Sequence, residues 1–538
     1  MKKSLNVLLL FVVACAPFVW AADDVVQSAE TSSYMAPMRD GVKLATAVNL
    51  PEGAGPFPTI VVRTPYNKEG FSKGSKKYTD AGYAYVAQDC RGRFASEGSY
   101  EPFATDREDG YDTIAWIKGQ SFCNGKIGIT GGSAMGITAN MAAASDPPGL
   151  AAAYVVVAPQ SSLDQMWFTN GAFKWSMISG WMKAQGADSQ VAGLLARPVV
   201  DDGWMETDLV HHIQEVDIPM YNVGGWYDIF LEGNIDNFVY LQEKGKRGAR
   251  GNQKLLMGPF GHGQLSGDLE YVNGGRGDNE MRWFAYWLKA EKNGIMDEPA
   301  VSYYMMASAR KGALSPKNDW RQAESWPPQT TATRLYLTDK KALQKDPLEA
   351  SAAAKPFTEY KFDPHVPVPT IGGSNLTIKL GPMDQRAVGE RDDYLRFQTA
   401  PIEEDVAIAG KVTMELWAST DGPDTDFMVK LVDVYPDGYE ALVLDNPMRA
   451  RFRHGRNPQD VMMMRPNEPE LLTIDLWSTA ITFEKGHRIA VHVTSSNYPR
   501  FDVNPNTGVP AMEARVALNR VYHEPLRPSA IVLPVLAE

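Results

Sequence analysis

Two hydrophobic periods divide this chain, and no single layer of secondary structure accommodates both. Between residues 36 and 158, short apolar, β-branched runs (VKLATAVNL, TIVVRTPY, GYAYVAQD, KIGIT, LAAAYVVVAPQ) alternate with helical patterns at 106–118 and 133–145. Strands separated by helices specify βαβ units and a parallel sheet. After Trp326-Pro327-Pro328 the helical stretches stop, and RLYLT, YLRFQTA, KVTMELWAST, DFMVKLVDVY, ALVLD, LLTIDLWS and RIAVHVTSS follow one another, with Asp437-Gly438 as a hairpin turn signal. Such spacing predicts an antiparallel sandwich. Met- and aromatic-rich helical sequence at 161–216 interrupts the first pattern, which resumes at 218–223 and 254–257. The predicted fold class is therefore α/β followed by all-β: a core at 36–160 and 217–326, a helical cap at 161–216 set inside it, and a β-sandwich at 327–538.

The first residues read as an export signal. Lys2 and Lys3 precede an apolar run at 5–19, and Val19-Trp20-Ala21 offers a cleavage site, so residues 1–21 are expected to be removed and the mature chain to be periplasmic or secreted. The alternative, lipidation of Cys15 in Val12-Val13-Ala14-Cys15, is disfavoured by the apolar residues that follow. Lys+Arg 53 against Asp+Glu 65 gives a net charge of −12, which carries no basic footprint for nucleic acid. Three cysteines build neither a disulfide framework nor a Cys-based zinc site. Cys90 and Cys123 are placed at opposite ends of a parallel sheet, so no bond between them is expected. The eight histidines are scattered, with no H-x-x-x-H pair; neither metal nor cofactor is called for.

The segment Lys126-Ile127-Gly128-Ile129-Thr130 leads through Gly131-Gly132 into Ser133, Ala134, Met135, Gly136 and an Ala-rich helix. A serine on a tight strand-to-helix turn needs glycine neighbours, and the turn exposes its hydroxyl at a helix N-terminus. A nucleophilic serine needs a histidine to take its proton and a carboxylate to hold that histidine. The order Ser, Asp, His selects His262, in the loop after KLLM, and Asp228, after the strand PMYNV. Asp228 falls at the C-terminal end of a parallel strand, where ligands gather in open α/β sheets.

Together with Met38-Arg39-Asp40-Gly41-Val42-Lys43-Leu44, Arg63-Thr64-Pro65-Tyr66, Gln88-Asp89-Cys90-Arg91-Gly92, Ser96-Glu97-Gly98, Gly225-Trp226-Tyr227-Asp228 and Ser495-Ser496-Asn497-Tyr498-Pro499-Arg500-Phe501, these elements resemble the cocaine esterase and α-amino acid ester hydrolase family (CocE/NonD), which includes Xaa-Pro dipeptidyl-peptidase relatives. The resemblance runs from Met38 to the C-terminus and accounts for the delayed second glycine of the Ser133 turn. It implies an α/β-hydrolase core, an inserted helical cap and a C-terminal jelly roll of the galactose-binding-like type. It implies Ser133 as nucleophile, His262 as general base, Asp228 as its orienter, and the Tyr66 hydroxyl with the Ala134 backbone N–H as oxyanion donors. Two departures bear on substrate. Ala134 stands where the family commonly has tyrosine. Ile229 and Phe230 stand where the α-amino ester hydrolases carry an acidic pair for the substrate ammonium.

The function expected is a serine esterase acting through an acyl-enzyme on uncharged acyl groups, held between core and cap against Trp167, Phe168, Trp175, Trp226 and Phe230. An exopeptidase or amide acylase with the same triad is the alternative, so the partner expected is a small-molecule ester or amide substrate; an inert glycan-binding protein is a third. No role is assigned to Arg276-Gly277-Asp278 or to the sequon Asn375-Leu376-Thr377.

Overall fold

A computed structural model describes residues 31–272, 279–349, 355–509 and 513–537. The export signal, Cys15 and Arg276-Gly277-Asp278 lie outside them. Ten strands form the first sheet: β1 Ser32–Pro37, β2 Lys43–Asn49, β3 Phe57–Thr64, β4 Ala84–Asp89, β5 Cys123–Gly132, β6 Leu150–Val156, β7 Met220–Tyr227, β8 Lys254–Gly261, β9 Val301–Met305 and β10 Asp319–Ala323. Their order is β1-β2-β4-β3-β5-β6-β7-β8-β9-β10. From β4 through β9 every pairing is parallel; β1, β2 and β10 add antiparallel edges. The sheet thus starts at Ser32, four residues before the boundary read from periodicity, because β1 carries mostly exposed side chains and no apolar signal.

The chain leaves β3 for β4 on one side and then crosses back to β5 on the other. This reversal opens a crevice beyond the strand ends, where open α/β sheets bind ligands. Helices cover both faces. Asp106–Lys118 carries Asp106, Glu108 and Asp109 in its first turn and ends in Lys118, charges that favour its dipole. It packs so closely on Ala134–Ala144 that a Cβ on Gly110 would lie 2.6 Å from that of Ala142.

Between β6 and β7 the chain builds a helical insertion. A π-helical turn, Ser162–Trp167, is held by the buried Asp208 carboxylate, which accepts from the backbone N–H groups of Ser162 and Leu163 and from the Ser161 hydroxyl. Trp175–Ala184 follows, then shorter helical turns. Cys90 and Cys123 are both buried and free.

The C-terminal region is β-rich. Its larger sheet includes Thr330–Leu337, Ala530–Leu536, Val406–Thr420 and Ala517–Tyr522 as successive neighbours, with Glu470–Phe483 also paired to Val406–Thr420. The smaller runs Leu395–Gln398, Arg488–Thr494, Asp426–Val434, Glu440–Arg449. Asp426–Val434 and Glu440–Arg449 are joined by a turn in which Gly438 takes φ 83°. Leu416 and Leu472 from one sheet and Val429 and Val491 from the other share an apolar cluster. That cluster also holds Trp226, Met257, Tyr304 and Trp326, so the β-rich region is fused to the α/β sheet by a continuous core.

Candidate active site

Four side chains converge on the C-terminal ends of parallel strands: Tyr66 just beyond β3, Ser133 beyond β5, Asp228 beyond β7 and His262 beyond β8. Ser133 adopts φ 58°, ψ −125°, a conformation costly for any residue with a Cβ and one that clusters at functional sites. The turn is locked by Ser133 N–H donating to Val156 O and by Ile137 N–H donating to Ser133 O, both at 2.9 Å. The glycines allow it. A Cβ on Gly131 would lie 2.4 Å from the Met135 backbone, and one on Gly136 would lie 2.9 Å from the Ala158 Cβ. The second glycine is needed at 136 because that residue is pressed against the chain leaving β6.

The relay is direct. His262 Nδ1 lies 2.8 Å from Asp228 Oδ2, and His262 Nε2 lies 2.7 Å from Ser133 Oγ. With the ring proton on Nδ1 given to Asp228, Nε2 is left to accept from the serine hydroxyl. Asp228 is fully buried, and its other oxygen accepts from Phe230 N–H at 2.7 Å. The Phe230 ring stands edge-on to the imidazole at 5.7 Å. Ala134 is the first residue of its helix, so its N–H has no intrahelical acceptor and belongs to the donors a developing oxyanion can use. The Tyr66 hydroxyl is reached by Trp181, whose Nε1 donates to Tyr66 Oη at 2.7 Å.

Ser133 and Ala134 open into a narrow pocket walled by Phe103, Ile137, Met166, Met177, Ile178, Trp181, Ile229, Phe230 and Leu376. Among the described residues, no acidic or basic side chain is on that wall. Of the five aromatic residues expected to line it, Phe230 does so, and the other four are corrected. Trp226 is fully buried, donates to Tyr304 O at 2.7 Å and packs on Trp326, which makes it part of the core beneath the β-rich region. Phe168 is fully buried under the Arg456 guanidinium, 4.5 Å from its ring. Trp167 is buried in the insertion, and Trp175 stands edge-on to Phe173. For Trp175 the physical reason is helical phase: in Trp175–Ala184 the inward face falls on Met177, Ile178 and Trp181.

Sequence reasoning missed Leu376. It belongs to the sequon Asn375-Leu376-Thr377, to which the sequence assigned no role, on a loop of the β-rich region held by Asn375, whose side chain donates to Gly372 O and Lys379 O. Thr377 ties that loop to the insertion by donating to Ser176 O at 2.8 Å. No local pattern announces such a contact. Lys174 was also missed. Its buried ammonium donates to Gln165 O and Ile229 O, with the faces of Trp477 and Phe230 beside it. Burial pushes it well below the ordinary lysine range, Arg500 adding to the shift and Asp228 opposing it.

A second Ser-His-Asp array exists. His487 Nδ1 lies 2.8 Å from Asp433 Oδ1, and His487 Nε2 lies 3.3 Å from Ser308 Oγ. Ser308 lies just before the short strand Ala309–Arg310 with no helix following it, and its hydroxyl also meets Glu484 and Tyr435. It lacks the strand-to-helix turn that presents a nucleophile beside oxyanion donors, so it reads as a polar tie between the two regions.

The comparisons with known proteins fit this geometry. Residues 40–193 and 183–264 match the model of the X-Pro dipeptidyl-peptidase (S15 family), and residues 293–532 match that of the X-Pro dipeptidyl-peptidase C-terminal non-catalytic domain. The cocaine esterase of Rhodococcus sp. (strain MB1 Bresler) is 31% identical over 94% of this chain and 98% of its own length. The chain belongs to the cocaine esterase family of serine hydrolases. Among solved members of similar fold, an α-amino acid ester hydrolase superposes with a TM-score of 0.80 at 28% identity, covering 97% of this chain and 100% of its own. An aminopeptidase from a marine sediment archaeon, Thaumarchaeota archaeon, gives 0.81 at 26% identity, covering 97% and 99%. This cocaine esterase family member therefore has the α/β-hydrolase fold with a C-terminal β-rich domain.

Proposed function

We propose that this protein hydrolyses esters of uncharged, apolar acyl groups through a Ser133 acyl-enzyme. The observation that carries the reading is the Asp228–His262–Ser133 relay, with contacts of 2.8 and 2.7 Å, ending at an apolar pocket. Ser133 Oγ attacks the ester carbonyl carbon while His262 Nε2 takes its proton. The carbonyl oxygen becomes an oxyanion facing the Ala134 N–H and the Tyr66 hydroxyl. Collapse breaks the ester C–O bond, and His262 returns the proton to the departing alcohol. Water, deprotonated by His262, then attacks the acyl-enzyme and regenerates Ser133. Losing one oxyanion donor typically costs ~10²–10³ in rate.

The leaving group is read as an alcohol and the acyl group as unaminated, because Ile229, Phe230 and the rest of the wall offer no carboxylate to an ammonium. That ranks the exopeptidase reading second. The β-rich region is read as a jelly roll whose Leu376 loop closes the acyl pocket. Export with cleavage after Ala21 is supported by the N-terminal pattern, and the N-terminal sequence of the secreted protein tests it.

Hydrolysis of p-nitrophenyl acyl esters tests the assignment: Ser133→Ala abolishes turnover, and retention of most activity refutes it. A strong preference for phenylglycyl over phenylacetyl esters would refute the unaminated acyl group. Labelling of Ser133 by a fluorophosphonate excludes an inert glycan-binding core.

A further inference from the structure

Trp181 lines the same pocket as Ser133 and Ala134, but its polar edge is turned to a different residue: its Nε1 donates to Tyr66 Oη at 2.7 Å. We propose that Trp181 is a positioning residue that aims the Tyr66 hydroxyl proton at the carbonyl oxygen of an acyl group bound at Ser133. The proposal rests on the reading of Tyr66 as an oxyanion donor and assigns how that donor is set.

An indole nitrogen carries one proton and no lone pair in the ring plane, so in this contact it only gives. The phenol oxygen accepts, and its own proton is directed away from the indole. Tyr66 lies just past the end of β3, the sheet neighbour of β5 whose end carries Ser133. The bond from Trp181 therefore removes one orientation of the phenol proton that would be wasted for catalysis. It also polarises the O–H bond, since a hydroxyl that accepts a hydrogen bond becomes the stronger donor.

The arrangement is rigid before substrate arrives. Trp181 is 7% exposed and stacks on Phe103 with ring centroids 5.7 Å apart and planes at 14°. Its helix buries Met177, Ile178 and Met182 as well. Tyr66 N–H is held by Thr64 Oγ1 at 3.0 Å, and the carbonyl of the preceding Pro65 accepts from Arg93 Nε at 2.9 Å. A donor fixed in advance costs no reorganisation when charge develops, which is the condition for electrostatic catalysis. The helical insertion then does more than wall the pocket, because it supplies the group that orients a donor belonging to the core.

A purely structural role would satisfy a buried indole N–H and nothing else. A double-mutant cycle on a p-nitrophenyl ester separates the two. Trp181→Phe keeps a ring in the wall and removes the N–H. It is expected to lower kcat about three- to tenfold, the worth of one neutral hydrogen bond, with KM within about twofold. In the Tyr66→Phe background the same change is expected to lower kcat less than about twofold, because the group it positions is gone. Losses that multiply in the double variant, or Trp181→Phe turning over at the wild-type kcat, overturn the role of Trp181 and leave the Tyr66 reading standing. Tyr66→Phe at full kcat overturns both. Should Trp181→Phe fail to fold, 3-benzothienylalanine at position 181 deletes the N–H at constant ring size, and the same outcomes decide.

Discussion

Lys174 Nζ donates to the backbone carbonyl of Ile229 at 2.9 Å, and so ties the helical insertion to the residue directly after Asp228. The same ammonium donates to Gln165 O in the π-helical turn. Asp228 and Phe230, on either side of Ile229, respectively hold His262 and wall the pocket. Lys174→Met fills similar space but leaves two buried carbonyls unsatisfied, at about 1–3 kcal/mol each, partly offset by removing a buried charge. The expected outcome is a roughly tenfold loss of kcat/KM on a p-nitrophenyl ester, read beside a thermal melt showing a modest drop in Tm. Wild-type kcat/KM would refute the tie.

The glycines around Ser133 are unequal. Gly131→Ala forces a Cβ to 2.4 Å from the Met135 backbone, which cannot move without undoing the turn. It is expected to cost about 3 kcal/mol or more and to abolish activity. Gly132→Ala meets Val156 atoms no closer than 3.7 Å, an ordinary contact, and should leave stability and kcat within a few-fold of wild type. Urea unfolding of the two variants checks the contrast.

Leu376 is the β-rich region's contribution to the pocket wall. Leu376→Ala lengthens the acyl site by a few methylenes. The kcat/KM ratio for octanoyl over butyryl esters should rise about tenfold, in the range that methylene-sized differences supply. An unchanged chain-length profile would place Leu376 outside the acyl site.

Stability should depend on pH through Glu232, at the start of helix Leu231–Lys244. Glu232 accepts from Ser478 N–H at 2.7 Å and pairs with Lys411 at 3.0 Å. Burial pushes its carboxyl up from 4.5 to about 7, against the pull of Lys411, with Asp236 and Asp475 adding to the rise. The folded state keeps a proton that the unfolded chain gives up near pH 4.5. Its contribution to stability is therefore fully present below that pH and is lost as pH rises through about 7, by up to about 3 kcal/mol. Glu232→Gln mimics the protonated form. The difference in Tm between wild type and this variant should shift against wild type between pH 5 and pH 8, and a pH-independent difference would refute the assignment.

Much of the site was legible because its chemistry is punctuated locally. Ser133, Asp228 and His262 each follow an apolar strand in loops rich in glycine, and β-branched runs alone placed those strands in a parallel sheet. The edge strands β1 and β10 were not legible, since exposed edges carry little hydrophobic period. Nor was Ala530–Leu536, which inserts between Thr330–Leu337 and Val406–Thr420, a pairing set by packing across the whole region.

By itself the sequence determined the layer type of each half, the turn that exposes Ser133 and the chain order of its partners, because periodicity and glycine placement act over a few residues. Only the tertiary structure decided which side chains wall the pocket. Trp226 went to the core and Leu376 came in from a distant loop, because burial is settled by what packs opposite a side chain. The same holds for Trp181 and Tyr66, whose hydrogen bond spans 115 positions and exists only once the insertion has folded back over the strand ends.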